Sequence, residues 1–159
     1  MDSKDLPAIE ALIPHRTPMR LIDRVLDLDE DHIQTISIVK ETWPLCDSRG
    51  ADVILVVEII AQSIAAFYHR RKRRRGEPQI DFLVGIKEAR FHAQRLPLHA
   101  ELTVNVKMVS AIGNYGVFNG EVMLGTAILC EALVQVLEPG EELWETIISE
   151  RGREVTTDG

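Results

Sequence analysis

The sequence predicts an α+β fold in which an antiparallel sheet wraps around one long apolar helix. Residues 53–68 are apolar on nearly every side of a helix, so they have to be covered all round. Segments on both sides of this run alternate apolar and polar residues with the period of a strand. The later strands are joined by short connections, which favour antiparallel pairing. We expect one domain over residues 1–140 and a polar, partly disordered tail over residues 141–159.

Three shorter elements are predicted ahead of the long helix. Residues 5–13 are expected to form a short helix that Pro14 closes. Residues 20–27 show some alternation and are predicted as a strand. Residues 32–40 alternate cleanly and are rich in β-branched side chains, so they are predicted as a second strand.

The long helix is predicted over residues 53–74, with Asp52 as its N-cap. Gly76 and Pro78 follow it and act as stop signals. Four further strands are predicted, over residues 82–92, 100–109, 114–124 and 127–137, as an antiparallel meander. This order of elements matches a hotdog fold.

Composition and charge exclude several classes of protein. The formal net charge is −7, so the molecule as a whole is not built to bind nucleic acid. The first residues are polar and lack the apolar core of a secretory signal, which favours a cytoplasmic protein. A helix over residues 53–68 is about 24 Å long, shorter than a membrane span of ~30 Å, so no membrane role is expected. No spacing of His, Cys and carboxylates resembles a metal site.

Three segments carry a resemblance to a known family. Residues 12–25 read LIPHRTPMRLIDRV and closely resemble the N-terminal signature of the FabZ-type 3-hydroxyacyl-ACP dehydratases, where Leu-Pro-His-Arg-x-Pro precedes Asp-Arg-Val. Residues 58–62, EIIAQ, resemble the Glu-x-x-Ala-Gln of that family's central helix, and residues 89–91, ARF, match the strand after it. The resemblance covers about residues 6–138 and implies a hotdog fold and a dehydratase site.

One segment departs from the family pattern. FabZ-type enzymes carry Gly-His-Phe-Pro-Gly before the helix, and that His works with the helix Glu. Here the segment reads WPLCDSRGAD, which is shorter and contains no His. The shortened loop is similar to that of a divergent branch, the ApeP-like dehydratases of aryl-polyene and related pathways. Asp47 and Ser48 fall near the lost His and Val53 near the family's helix start, so these three are candidates for substrate binding.

Glu58 is the first candidate for catalysis. Dehydration of a 3-hydroxyacyl thioester needs a base for a C2 proton and an acid for the leaving hydroxyl. Glu58 is the one charged residue between positions 53 and 68, and desolvation there would favour the protonated form of a general acid. The alternative is a structural carboxyl in the core or at a subunit seam.

His15 is the candidate for the base, because its motif lies near the active site in the resembled enzymes. The alternative is a structural histidine that bonds a loop carbonyl. Gln62 shares a helix face with Glu58 and would orient it or bind substrate, unless it is only a satisfied buried amide. Arg16 is a candidate for positioning the substrate. His92 is another candidate imidazole, because the alternation of its strand could turn its side chain inwards. The dehydratase function also leads us to expect a base that reaches Glu58 across a subunit interface.

A basic run, HRRKRRR over residues 69–75, ends the long helix and holds six of the 18 Lys and Arg residues. On an acidic molecule such a patch indicates an acidic partner, and the resembled family docks acyl carrier proteins through basic residues. The candidate docking residues are Arg70, Arg71, Lys72, Arg73, Arg74 and Arg75. The alternative is a solvated helix end that the helix dipole favours.

The predicted function is dehydration of a 3-hydroxyacyl group on acyl carrier protein to the trans-2-enoyl product, in fatty-acid, polyketide or aryl-polyene type biosynthesis. No cofactor is expected, because the phosphopantetheine arrives on the carrier. The resembled active sites lie at dimer interfaces, so we expect a homodimer or a heterodimer with another hotdog chain. Two alternatives remain open: a non-catalytic hotdog partner subunit, which the absent loop His favours, and an acyl thioesterase.

Overall fold

A computed structural model describes residues 6–73, 82–138, 145–146 and 149–150 of the chain. This part of the chain consists of one long helix, two antiparallel sheets and a short 3-10 turn at Ile9–Ala11. The helix is α1 (Leu55–Arg73), and the strands are β1 (Arg24–Leu28), β2 (His32–Ile38), β3 (Cys46–Asp47), β4 (Gly50–Asp52), β5 (Phe82–Phe91), β6 (Arg95–Leu96), β7 (Glu101–Ile112), β8 (Tyr115–Leu124) and β9 (Ala127–Leu137). The α+β class and the order of the seven longer elements are as predicted, but β1 begins at Arg24 and not at residue 20.

The large sheet has six strands in the order β1-β2-β7-β8-β9-β5. β7, β8 and β9 form a meander, and the turns between them place Gly113 and Gly125 at positive φ, where glycine is favoured. β5 lies at the far edge beside β9, although it follows α1 directly in the chain. The prediction that all four later strands form one meander was therefore wrong for β5, because alternation marks a strand without specifying its neighbours.

α1 packs on the inner face of this sheet against β2, β7 and β8. Its inward side chains are fully buried, and they include Ile59, Ile60 and Ile64. A buried hydrogen bond of 2.8 Å joins the hydroxyls of Thr35 on β2 and Ser63 on α1. No helix in the described ranges has the length and hydrophobicity that a membrane span requires.

One stripe of α1 is not covered by the sheet. Ile54, just before the helix, is 49% exposed, and Val57, Ala61 and Ala65 are half-buried. These four residues and Glu58 recur at helical spacing, and the five together define the outer stripe. The expectation that the helix is covered all round is thus not met by this chain alone.

A second, small sheet with the order β3-β4-β6 lies beside the start of α1. The sequence did not predict it, because strands of two or three residues carry no measurable period. The prediction that Asp52 is the N-cap of the helix was wrong, because α1 begins at Leu55, two residues later than predicted. Asp52 Oδ1 accepts the Ile54 N–H at 2.9 Å, so it stabilises the turn of residues 53 and 54 that precedes the helix.

The predictions for the two ends of the chain can be tested only in part, because some of those residues lie outside the described ranges. The helix predicted over residues 5–13 is only the short turn Ile9–Ala11 among the described residues, because so short a segment cannot repay the cost of helix nucleation. Four residues of the predicted tail, 145–146 and 149–150, are described and are exposed. The rest of the predicted tail lies outside the described residues.

Candidate active site

Folding brings His15 and Glu58 together. Glu58 lies in the first turn of α1, and His15 lies in the loop that crosses the helix before β1. His15 Nε2 is 3.5 Å from Glu58 Oε1, and the two side chains are 32% and 35% exposed. This separation is long for a hydrogen bond but suits an imidazole and a carboxylate that act on one substrate. Both groups come from the same chain, so the expectation that the base crosses a subunit interface is not needed for His15.

Gln62 lies one turn beyond Glu58 and is 0% exposed. Its Nε2 donates to Glu58 Oε1 at 2.9 Å and to the carbonyl of Met19 at 2.7 Å. Its Oε1 accepts the N–H of Leu21 at 2.9 Å. The amide is therefore fully engaged with the protein, which leaves it no group to offer a substrate.

Arg16 organises the loop that carries His15. Its guanidinium donates to the carbonyls of Ile13 at 2.9 Å, His15 at 2.8 Å and Glu10 at 3.1 Å. Three fork-like donors on three backbone acceptors suit the planar guanidinium. These contacts fix the backbone around His15, so Arg16 acts on the position of His15 and not on a substrate in this conformation.

The segment that replaces the family's histidine loop is the β3–β4 hairpin. Arg49 hydrogen-bonds the Asp47 carboxylate and, with Arg95 beside it, holds the pKa of Asp47 down at about 2. Asp47 is thus an ionised, paired group and a poor base. Ser48 is exposed at the turn, and the N–H of Val53 donates to the carbonyl of Gln94 at 3.3 Å, which occupies that donor.

Two residues with structural roles were not assigned by the sequence. Arg95 stabilises the β3–β4 hairpin, because its guanidinium donates to the carbonyl of Gly50 at 3.1 Å and also contacts the Asp47 carboxylate. Asp23, part of the Asp-Arg-Val match, accepts the Ile38 N–H at 2.7 Å and pairs with Lys40. Its place in the motif was visible in the sequence, but its two partners, at the end of β2 and just beyond it, were not.

Other titratable clusters lie away from Glu58. His92, a candidate for facing inwards, is 47% exposed and pairs with Glu131 at 3.2 Å. Asp27, Asp29 and His32 bring possible ligand atoms within 4.8 Å of one another at the β1–β2 turn. The Asp29 carboxylate already accepts the N–H groups of Asp31 and His32, and these bonds lower its pKa, so the turn itself accounts for the arrangement.

Only the first part of the candidate docking run can be placed. Arg70 and Arg71 are half-buried on the last turns of α1. Arg71 lies 5.8 Å from the centre of the Phe67 ring and 3.6 Å from the Met108 sulfur. The structure does not describe the side chains of the other four candidates, Lys72, Arg73, Arg74 and Arg75.

The six-stranded antiparallel sheet on one long helix, with an imidazole and a carboxylate side by side at the first turn of that helix, defines a hotdog-fold protein with a candidate active site. The family model for the ApeP-like proteins, described as ApeP dehydratase, matches residues 7–147. The chain belongs to this family.

Comparisons with individual proteins agree with that assignment. The chain is 28% identical over 138 residues to the 3-hydroxyacyl-[acyl-carrier-protein] dehydratase FabZ of Shewanella woodyi, covering 83% of this chain and 90% of that protein. The FabZ of Streptococcus pyogenes serotype M5 is 30% identical over 98 residues, 58% of this chain and 69% of that one. The dehydratase heterocomplex ApeI:P from Xenorhabdus doucetiae has the same fold, with a TM-score of 0.79, 18% identity and coverage of 89% and 97% of the two chains.

Proposed function

We propose that this protein dehydrates a 3-hydroxyacyl group carried on an acyl carrier protein to the trans-2-enoyl product, with Glu58 and His15 as its catalytic residues. The observation that carries the proposal is the His15–Glu58 pair, 3.5 Å apart within one chain whose hairpin contains no histidine. The names of its FabZ relatives supply the reaction class and the carrier.

In this reaction, neutral His15 removes the C2 proton while protonated Glu58 gives its proton to the departing 3-hydroxyl. The C2–H and C3–O bonds break, the C2–C3 double bond forms, and water leaves. The products at the site are an imidazolium and a carboxylate. Proton exchange with solvent then restores the starting state of both groups, since their side chains are 32% and 35% exposed.

The carrier would dock at the basic end of α1, with Arg70 and Arg71 as the first residues of the patch. Arg71 lies thirteen positions after Glu58, so the patch lies about 20 Å along the helix from Glu58 and His15. An extended pantetheine arm has to cover a distance of this order between an acidic carrier surface and the reacting carbons. Lys72, Arg73, Arg74 and Arg75 follow directly in the sequence and add four positive charges to the proposed docking segment.

A second hotdog chain, either another copy or a related one, would cover the outer stripe around Glu58. The stripe is apolar except for Glu58, and among the described residues β5 has a neighbouring strand on one side only. Burial of the stripe would desolvate Glu58, which is a third exposed in the single chain. This arrangement places the active site at the subunit seam.

The test is turnover of 3-hydroxyacyl carrier protein by the purified chain, followed by mass spectrometry of the carrier-bound acyl group. We expect loss of water with the wild type and a fall of about 10²- to 10⁴-fold with Glu58→Gln or His15→Asn. His92→Asn and Glu131→Gln are matched controls, because they alter an exposed His–Glu pair elsewhere on the surface. Both controls should keep wild-type turnover.

Other outcomes favour other functions. Release of free thiol from the carrier would indicate a thioesterase. No reaction from a folded protein with several acyl types would favour a partner subunit, for which the absence of a hairpin histidine is the supporting observation. In that case, addition of a catalytic hotdog chain should yield a stable complex whose activity does not depend on Glu58.

A further inference from the structure

We propose that Gln62 is a positioning residue, whose buried amide locks Glu58 to the loop of residues 15–21 and fixes which carboxyl oxygen carries the catalytic proton. The proposal rests on the dehydratase function proposed above and assigns Gln62 a role within that site. Of the two functional roles expected for Gln62, the proposal develops the orientation of Glu58 and drops the binding of substrate.

The orientation of the Gln62 amide is fixed by its partners. Its Oε1 faces an N–H, that of Leu21, while its Nε2 faces two acceptors, the Met19 carbonyl and Glu58 Oε1. A rotated amide would oppose oxygen to oxygen at two contacts and N–H to N–H at the third. With the side chain fully buried, water cannot compensate for such mismatches.

This orientation distinguishes the two oxygens of Glu58. Oε1 accepts the Gln62 N–H at 2.9 Å and also faces His15 Nε2 at 3.5 Å. Among the described residues, none hydrogen-bonds Glu58 Oε2. The proton that leaves with the 3-hydroxyl is therefore carried by Oε2, while Oε1 remains the acceptor.

The same amide also determines the path of the loop. Met19 and Leu21 are held on α1 by main-chain bonds to one side chain, just after the segment that carries His15. Arg16 fixes the loop internally, and Gln62 fixes it to the helix. If the amide is lost, His15 and Glu58 no longer share a rigid frame, and a displacement of about 1 Å in a catalytic group can cost about 100-fold in rate.

The test compares Gln62→Met with Ser63→Ala in the full chain. Methionine is unbranched and of similar size but removes all three hydrogen bonds. Ser63 is the neighbouring residue, equally buried, and its hydroxyl bonds Thr35 and the Ile59 carbonyl without touching Glu58. We expect Gln62→Met to lower kcat about 10- to 100-fold with little change in KM, and Ser63→Ala to change kcat by less than about 3-fold.

A double-mutant cycle separates positioning from general destabilisation. In a Glu58→Gln background, Gln62→Met should cost less than about 3-fold further in kcat, because the group that it positions is already disabled. Costs that multiply independently would overturn the proposal, as would equal losses of kcat in Gln62→Met and Ser63→Ala.

Amide hydrogen exchange provides a readout that needs no activity. The Leu21 N–H should exchange at least about 10-fold faster in Gln62→Met than in the wild type or in Ser63→Ala. An unchanged Leu21 amide would overturn the clamp even if the protein proves inactive, and accelerated exchange in an inactive protein would uphold the clamp while the dehydratase proposal fails. If Gln62→Met does not fold, Gln62→Asn tests the same rate effect, since its amide is one methylene shorter and cannot reach Glu58 and both loop groups together.

Discussion

At the scale of single residues, the site depends on contacts between segments that are distant in sequence. Glu58 was a strong candidate from sequence because it is the one charge in an apolar run. Its proximity to His15 was expected only from the family resemblance, since the contact itself follows from how the loop of residues 15–21 packs on α1. The roles of Arg16 and Gln62 followed only from their hydrogen bonds, because an arginine or amide in a motif can equally bind substrate or backbone.

Replacement of Arg16 by lysine should weaken both the loop and catalysis. A lysine can reach one of the three carbonyls that the guanidinium now bonds, and the others become exposed to solvent. We expect Arg16→Lys to lower the free energy of unfolding by about 1 kcal/mol and to reduce kcat, since the His15 carbonyl loses its anchor. Urea unfolding and steady-state kinetics measure the two effects.

The matched control is Arg90→Lys, which alters an exposed ion pair with Glu88 on β5. It should leave the free energy of unfolding within about 0.5 kcal/mol of the wild type and kcat unchanged. If Arg16→Lys behaves like Arg90→Lys in both measurements, Arg16 does not position His15.

At the scale of elements, long strands were predictable and short ones were not. Alternation over seven or more residues located β2, β7, β8 and β9, with ends displaced by no more than a few residues. β3, β4 and β6 are too short for a period, and their pairing depends on contacts such as Arg95 with Gly50. A local sequence pattern therefore predicts a strand that is long enough to show alternation, while a short hairpin depends on contacts with residues distant in sequence.

The hairpin should show a distinct dependence on acid. The Arg49 and Arg95 partners lower the pKa of Asp47 from 3.8 to about 2. A carboxyl with a lowered folded-state pKa stabilises the fold above its unfolded value and loses that contribution as pH falls through the folded value. The free energy of unfolding should therefore decrease between about pH 4 and pH 2, and part of this decrease should vanish in Asp47→Asn.

Urea unfolding at several pH values measures this slope. Arg49→Gln serves as the companion variant, because it removes the first partner of Asp47 and should flatten the slope in the same way. A slope in Asp47→Asn equal to that of the wild type would mean that other carboxyls account for the acid dependence.

The contact between α1 and β8 requires a glycine. A Cβ at Gly120 would lie 2.7 Å from the Ile60 side chain, which is itself fully buried. Gly120→Ala should therefore destabilise the fold by about 1–3 kcal/mol through overpacking. Gly85→Ala is the matched control, because the nearest atom to its Cβ would be Gln135 Oε1 at 3.8 Å. Thermal unfolding distinguishes them, and equal melting temperatures would show that α1 moves freely away from β8.

At the scale of the whole molecule, the sheet order could not be read from the sequence. The strand after α1 was expected to join a meander, but it occupies the far edge of the sheet beside β9. This placement depends on how α1 crosses the sheet, which is a property of packing. The placement of β5 leaves it at an edge of the sheet, and the outer stripe of α1 stays half-exposed. This edge and this stripe are the surface on which a second subunit would lie.

The last prediction concerns that surface. A buried charge without a partner is costly, so Ala61→Glu, in the outer stripe, should prevent the second chain from packing on α1. Light scattering should give a mass of about twice 17.9 kDa for the wild type and 17.9 kDa for Ala61→Glu, with unchanged circular dichroism. Val109→Glu, at a 60% exposed apolar position on β7, is the control and should remain dimeric. If the wild type is itself monomeric, the stripe does not pair with a second copy, and its partner has to be a different hotdog chain whose binding Ala61→Glu abolishes.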